Sequence, residues 1–398
     1  MITTFLPLTS ISTQDALLKF LNTVNCNLSD NNYTIAIFLD LAKAFDSLNH
    51  EILLDKLKYY GIRNSAFSWF KSYLTNRKQF TVVNNCKSSY AEITHGVPQG
   101  SVLGPLLFLF FINDFPLCSD LINFTMFADD TNGLLSGRSL FNLREIAIVE
   151  LRNISKWLAA NRIAANHSKT HFMIFRGRRK LDFSLRITFE GKTLTQKSST
   201  KMLGLHIDEK LTWSEHIHKI NGKISRAIGI LNKFSKILPR DTLKIIYYSV
   251  LHPHLQYCNV LWGNAAKSLV EPLFRSQKKA IRKICNAEFL AHTNHLFKDL
   301  KILKLNDLHK LETAKFVKKE TSKPNSIYFT RRNNAHNMML RNHHGHALFV
   351  PQPRSERAKR FVTYNGTIIW NNIPPAILDT RNPITFKIKL KKFLLNQY

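Results

Sequence analysis

Apolar positions recur along the chain with two spacings, and the switches between them predict the elements. Helical spacing covers Gln14 to Leu21, within a stretch that turns polar before residue 30, then His50 to Tyr60, Ser65 to Leu74 and Leu140 to Leu158. In the last of these, Leu143, Ile146, Ala147, Leu151, Ile154 and Leu158 form the stripe. Gly61 is the expected C-cap between the second and third helices. Short β-prone runs predict strands at residues 34–40, Leu121 to Met126 and His171 to Phe175, and a hairpin from Lys78 to Val83 with Tyr90 to Thr94. The run from Thr34 to Leu39 is apolar on both faces, which predicts a central strand buried on both sides. Between these elements lie a glycine- and proline-rich loop, Gly96 to Pro105, opening a buried helix from Leu106, and a polar turn from Asn166 to Thr170. Lys201 to Ile207 reads as a short strand or turn.

From Trp213 the pattern changes. Helices predicted at Ser214 to Ile237 and Arg240 to His252 carry lysines and arginines among their apolar residues, and residues 264–320 continue basic and helical. Ser322 to Arg360 is rich in Asn, His and Arg with little periodicity, so loop or poorly ordered chain is expected there. Residues 361–398 return to a helical pattern that ends in Lys387 to Leu395. No internal repeat is present.

At 398 residues the chain can bury a sizeable core in one or two domains. Its charge is what departs from the ordinary: 57 Lys and Arg against 27 Asp and Glu give +30. A surplus of that size points to a polyanion, most simply nucleic acid. A basic membrane-surface protein is the second reading, but no basic amphipathic helix or lipidation site supports it. The apolar run within Val102 to Ile112 is too short to span a bilayer. Five scattered cysteines, Cys26, Cys86, Cys118, Cys258 and Cys285, form no CxxC pair. They argue against a zinc knuckle or a disulfide framework and fit a reducing, intracellular setting.

The chemistry is carried by acids at strand ends. The strand before Phe127-Ala128-Asp129-Asp130 ends on two adjacent carboxylates, which repel each other at a buried hairpin tip unless a divalent cation joins them. A lone Asp-Asp pair is most often a solvated turn. Here the central strand also ends on a carboxylate, Asp40. Two strands that each deliver an acid are what a two-metal phosphoryl-transfer site needs. In the glycine-rich loop, Gln99 sits between two apolar elements and suggests a ligand; the glycines permit close approach.

Five motifs in order identify a family. They are Phe38-Leu39-Asp40-Leu41-Ala42-Lys43-Ala44-Phe45-Asp46, the Gly96 to Pro105 loop, Phe127-Ala128-Asp129-Asp130, Asn166-His167-Ser168-Lys169-Thr170 and Leu203-Gly204. Together they resemble the palm of a reverse transcriptase from a non-LTR retrotransposon of the jockey-like kind, densely over residues 33–207 and more thinly to about residue 290. The resemblance implies an α+β right-hand polymerase. Residues 1–30 would be a remnant of the fingers and 31–207 the palm, an antiparallel sheet with packed helices, with part of the fingers at about 50–95. Residues 208–290 would form a helical thumb, and 291–398 a basic C-terminal helical region, partly disordered at about 322–360.

The resemblance also implies roles. Asp40 and Asp129 would be the principal ligands of two Mg²⁺ ions, with Mn²⁺ as the alternative, and Asp130 an auxiliary carboxylate. Phe45 would be the steric gate under the nucleotide sugar, beside Leu41 and Ala42; Gln99 and Gly100 would line the nucleotide and template side. Lys169 would protonate the leaving pyrophosphate, and Leu203 and Gly204 would belong to the primer grip. Lys223, Arg226, Lys233 and Lys236 would contact nucleic acid from the thumb. The bland readings are core packing for Phe45 and a solvated turn for Lys169. Asp46 and Asp114 read as structural acids, and the histidines from His336 to His346 lack zinc spacing.

The implied partners are an RNA template, a DNA primer or target and deoxynucleoside triphosphates, in a ribonucleoprotein of the nucleus or cytoplasm, with no membrane and no obligate protein partner. The sequence also departs from the family. Only Ile11 to Leu17 resembles the tail of the upstream fingers motifs, and the upper fingers and the endonuclease domain expected before them are missing. The chain therefore reads as the C-terminal piece of an element's polyprotein or a late-started gene product. The alternative function is a catalytically inactive relic that only binds nucleic acid; a telomerase or intron maturase fits the loop spacing less well.

Overall fold

The computed structural model describes residues 12–98, 100–177, 179, 185–332 and 345–398. Gln99, Ile11 and the histidines of the 336–346 cluster other than His346 lie outside them. The chain divides into two compact units, Met1–Leu203 and Gly204–Tyr398.

The first unit is α+β, built on a five-stranded sheet. The central strand, Tyr33–Leu39, lies between His171–Phe175 and Asp130–Gly137, and Asn123–Phe127 and Thr195–Gln196 form the edges. All pairings are antiparallel except that of Thr195–Gln196, which runs parallel to His171–Phe175. The sequence pattern held no sign of this two-residue edge strand. The central strand is buried on both faces, as its composition predicts. Ile35, Ile37 and Leu39 enter the main core with Leu107, Phe108 and Phe111 of the apolar Leu103–Ile112 helix and Leu151 and Ile154 of the Leu140–Ala160 helix. On the opposite face Phe38 meets Phe20 of the Thr13–Ser29 helix, ring centroids 6.0 Å apart.

Local signals account for several boundaries. Ser12 and Asp15 form a capping box at the start of the first helix. The His50–Tyr59 helix ends in a Schellman motif: Gly61 is left-handed, its N–H donates to the Lys58 carbonyl, and the Ile62 N–H donates to the Leu57 carbonyl. The predicted hairpin forms, with Lys78–Gln79 against Ala91–Glu92 and Val82–Val83 against Cys86–Lys87. The buried helix begins at Leu103, not Leu106. Gly104 and Pro105 therefore belong to its first turn, where proline's missing N–H has no helical partner to lose.

The second unit is helical. Ser214–Phe234 packs along Lys267–Ile284, and Leu305–Thr321 runs through the middle. Two buried polar side chains of its core, Gln277 and His309, are fully partnered. Gln277 donates to the Tyr247 hydroxyl (3.0 Å) and the Leu303 carbonyl (2.9 Å) and accepts from the Leu305 N–H (2.9 Å). His309 Nδ1 lies 3.0 Å from Asn259 Oδ1, and the Asn365 amide donates to Nε2 (2.8 Å).

Three expectations are corrected in this unit. The predicted Arg240 to His252 helix widens into a π turn over Tyr247–Leu251. Pro253, in the helix that follows, has no N–H for the Ser249 carbonyl and its ring crowds that group. Within the stretch expected to be loop, Glu356–Arg360 is helical, capped by the Ser355 hydroxyl on the Ala358 N–H. The C-terminal helical pattern is three helices, Val362–Asn371, Pro375–Leu378 and Pro383–Leu395, interrupted where prolines start new first turns. No helix among the described residues is long and apolar enough to cross a membrane.

Candidate active site

The acids come together at one end of the sheet. Leu39 pairs with Thr131 and Phe127 pairs with Asp130. Asp40 therefore follows its strand directly beside the hairpin whose two-residue tip is Ala128-Asp129. Ala128 takes a left-handed φ of 51°, a conformation that disfavours a side chain and is tolerated where surroundings over-determine it. Asp129 and Asp130 are exposed at the tip and Asp40 is half-buried. Asp130 is held above the ordinary carboxylate range, first by the protein around it and then by the negative charges of Asp129 and Asp40.

Asp40 is fixed from the polar turn. Its N–H donates to the Thr170 hydroxyl (3.3 Å), and its carbonyl accepts from the Asn166 N–H (2.8 Å). The Ala42 N–H donates to the Ala164 carbonyl (2.8 Å). Lys169 Nζ stands 3.7 Å from Asp40 Oδ2, largely exposed. Sequence reasoning missed the next layer. His171 stacks on Phe38 at 5.0 Å, bonds the Lys169 carbonyl through Nδ1 (2.6 Å), and reaches the Thr200 hydroxyl through Nε2 (2.7 Å). A histidine in an apolar strand carries no signal of such a role.

Phe45 is half-buried, its ring 4.7 Å from that of Phe108. Leu41 is buried and Ala42 half-buried. The glycine-rich loop is tied to the same stretch: Gly96 N–H donates to the Leu48 carbonyl (2.8 Å), Val97 N–H to the Phe45 carbonyl (2.9 Å), and His50 Nε2 to the Gly96 carbonyl (2.7 Å). Gly96 is left-handed (φ 81°), and a Cβ there would lie 2.8 Å from the Asp46 carbonyl oxygen. Gly100 has the same φ with open space around it. Ser101 accepts from the Gly104 N–H (2.9 Å) and opens the buried helix. Asp114 is a structural acid, 2.6 Å from Lys56 Nζ.

Leu203 and Gly204 form a tight turn, both left-handed (φ 45° and 83°). Lys223, Arg226 and Lys233 are exposed on the Ser214–Phe234 helix, and Lys236 is exposed in the turn after it. At about 100° per residue, the first three fall within about 80° of one another.

Among the described residues, no group of three or more His, Cys, Asp and Glu side chains is drawn together into a ready metal cluster. The donor chemistry at Asp40, Asp129 and Asp130 nevertheless fits hard divalent cations. It is all carboxylate oxygen, and a cation would relieve both causes that raise Asp130, burial first and then the charges of Asp129 and Asp40.

Comparison with known proteins agrees with this arrangement. The family described as "Reverse transcriptase (RNA-dependent DNA polymerase)" matches residues 2–207. The RNA-directed DNA polymerase from mobile element jockey of Drosophila melanogaster is 29% identical over 312 residues, 75% of this chain and 34% of that protein. The corresponding jockey polymerase of Drosophila funebris is 28% identical over 311 residues, with 75% and 34% covered. The probable RNA-directed DNA polymerase from transposon BS of Drosophila melanogaster is 28% identical over 331 residues, 78% of this chain and 34% of that protein. A solved structure of telomerase from Candida albicans, in complex with a fragment of telomeric RNA, is similar with a TM-score of 0.38 and 13% identity, covering 74% of this chain and 48% of that one, a likeness too weak to inform the reading. The chain spans about a third of the length of the relatives it matches. Family match, motif order and the antiparallel sheet that carries the acids agree, and the chain belongs to the reverse transcriptase (RNA-dependent DNA polymerase) family.

Proposed function

We propose that the chain supplies the polymerase activity of a non-LTR retrotransposon, extending a DNA 3′ end on an RNA template with deoxynucleoside triphosphates. The single observation that carries this reading is the register of Leu39 opposite Thr131, which sets Asp40 beside the Ala128-Asp129 tip. Asp40 and Asp129 would hold two Mg²⁺ ions, or Mn²⁺ in their place, and Asp130 would assist. When bound, the ions lower the pKa of the attacking hydroxyl and neutralise charge on the triphosphate.

The chain's own residues do the rest. In the reaction the primer 3′ oxygen forms a bond to the α-phosphorus as the bond to pyrophosphate breaks. Lys169, an ammonium at the edge of the acids, would give a proton to the leaving oxygen. The Phe45 ring, braced on Phe108, would exclude a sugar 2′-hydroxyl, with Leu41 and Ala42 beside it. Gln99 and Gly100 would line the nucleotide and template side, and Leu203 and Gly204 would steady the primer. Lys223, Arg226, Lys233 and Lys236 would contact phosphates, so the log-log slope of affinity against salt should weaken by nearly one for each of them replaced.

The test is primer extension on an oligo(A) template with deoxythymidine triphosphate and Mg²⁺. Extension by the wild type and none by Asp129→Asn, with primer-template binding retained, supports the proposal. Binding without extension, with either Mg²⁺ or Mn²⁺, overturns it and leaves a nucleic-acid-binding relic.

A further inference from the structure

The segment from Trp69 to Tyr90 carries a surface that the polymerase reading does not use. On the Asn64–Leu74 helix, Trp69 is 52% exposed and stacks on Tyr73 one turn later, centroids 5.8 Å and planes 10° apart. The Arg77 guanidinium lies 5.4 Å from the Tyr73 ring centre. The chain then enters the hairpin, which reverses through Asn84-Asn85, both left-handed, as a two-residue turn of the twist-matched kind requires. A second cluster sits on this hairpin. Lys87 Nζ is 3.9 Å from the Phe80 ring centre and 5.1 Å from that of Tyr90, and the two rings meet edge-on at 5.2 Å.

Every residue from Lys78 to Glu92 is exposed, so no core covers either face of the hairpin. A bare two-stranded hairpin is marginal in water, and Phe80 (43% exposed), Val82 (55%), Val83 (62%) and Tyr90 (61%) add apolar surface without burying it. The charge pattern indicates what would cover them. Residues 75–92 hold three cations, Arg77, Lys78 and Lys87, against one acid, Glu92, which stands opposite Lys78 in the hairpin. Rings interleaved with cations match unpaired nucleotides, whose bases offer flat faces and whose phosphates carry one charge each. A duplex hides those faces.

We propose that the Trp69–Tyr90 segment is a stacking platform for single-stranded nucleic acid, separate from the carboxylate cluster. Trp69, Phe80 and Tyr90 receive bases, and Arg77, Lys78 and Lys87 hold phosphates.

The test uses the full chain in chelator without nucleotide substrates, so that metal-dependent chemistry is silent. Fluorescein-labelled oligo(U), oligo(dT) and a blunt duplex are the probes, followed by anisotropy. Trp69 is the exposed tryptophan, and oligo(U) or oligo(dT) is expected to shield it from acrylamide quenching. The Phe80→Ala and Tyr90→Ala variants should each lose roughly five- to hundred-fold in single-strand affinity with little change on duplex. Lys87→Gln should lower the magnitude of the salt slope by about 0.7. Phe80→Trp should retain affinity, and Asp129→Asn should leave the whole pattern intact, which separates this proposal from the polymerase reading. The relative loss on oligo(U) and oligo(dT) tells whether RNA or DNA is the strand held. The proposal is overturned by an unshielded Trp69, by equal losses on single strand and duplex, or by unchanged single-strand affinity in variants that melt like wild type. It is also overturned if the variants lose self-association instead, which would make the surface a protein interface.

Discussion

Replacing Gly96 and Gly100 one at a time by alanine separates two costs that share one backbone conformation. Both glycines have φ 81°. A Cβ at Gly100 would meet nothing within 4 Å, whereas one at Gly96 would lie 2.8 Å from the Asp46 carbonyl oxygen and 2.9 Å from its Cα. The left-handed conformation alone costs an alanine roughly 1–2 kcal/mol. At Gly96 the backbone must also separate from Asp46, straining the bonds from Gly96 to Leu48, Val97 to Phe45 and His50 to Gly96. Losing one or two of them adds about 1 kcal/mol each, for a total of about 2–4 kcal/mol. In a unit of this size about 1 kcal/mol moves Tm by about 2–4 °C. Thermal melts should then show a fall of roughly 2–8 °C for Gly100→Ala and roughly 4–16 °C for Gly96→Ala, with the Gly96 fall about twice the other. Asparagine, which tolerates the left-handed region, should rescue position 100 and not position 96. Equal shifts at the two positions would show that the clash with Asp46 plays no part, and the claim that Gly96 locks the loop onto the Phe45 stretch would fall.

Three further outcomes are expected. Phe45→Ala should raise ribonucleotide incorporation relative to deoxynucleotide in primer extension, and an unchanged ratio in an active enzyme removes the steric-gate role. Lys56→Met leaves the Asp114 charge and the Phe111 carbonyl without their lysine and should cost about 2–3 kcal/mol in urea denaturation, with much of it recovered by adding Asp114→Asn. Burial holds His309 and His216 near pKa 4, below the ordinary 6.5. The unfolded chain therefore binds these protons first, so stability of the second unit is full above pH 6.5 and falls toward pH 4, by up to about 1.4 kcal/mol per pH unit for each histidine. His309→Gln should flatten that slope in denaturant melts at stepped pH, and an unaltered slope counts against a neutral buried His309.

What was legible in the sequence is what neighbouring residues decide. The central strand could be read because Ile35, Ile37, Phe38 and Leu39 leave no polar face, and Gly61 because a left-handed cap needs it. The acids could be read because each ends an apolar run. Contacts between distant segments left no trace. Nothing in Gly96 announces Asp46, and nothing in Thr170 or His171 announces Asp40 or Thr200. The π turn at Tyr247–Leu251 was hidden because its apolar spacing stays helical while Pro253 forces the wider turn.

The position of Asp40 against Asp129 and Asp130 depends on a register that hydrophobic pattern alone cannot fix. A strand apolar on both faces can slide by one residue and still bury its side chains. Within the neighbouring hairpin the register is fixed by Gly133: it pairs with Phe124, and a Cβ on it would lie 2.5 Å from Ile122 Cγ2, with the Phe124 ring close behind. Slippage of Asn123–Phe127 against Asp130–Gly137 would bring Asn132 or Leu134 into that space, where no side chain fits. The glycine therefore holds Asp129 and Asp130 at the hairpin end, although it has no chemistry of its own. Asp40 is held from the other side of the sheet, where its N–H donates to the Thr170 hydroxyl and its carbonyl accepts from the Asn166 N–H, so the polar turn and not the apolar pattern fixes where the central strand delivers its acid.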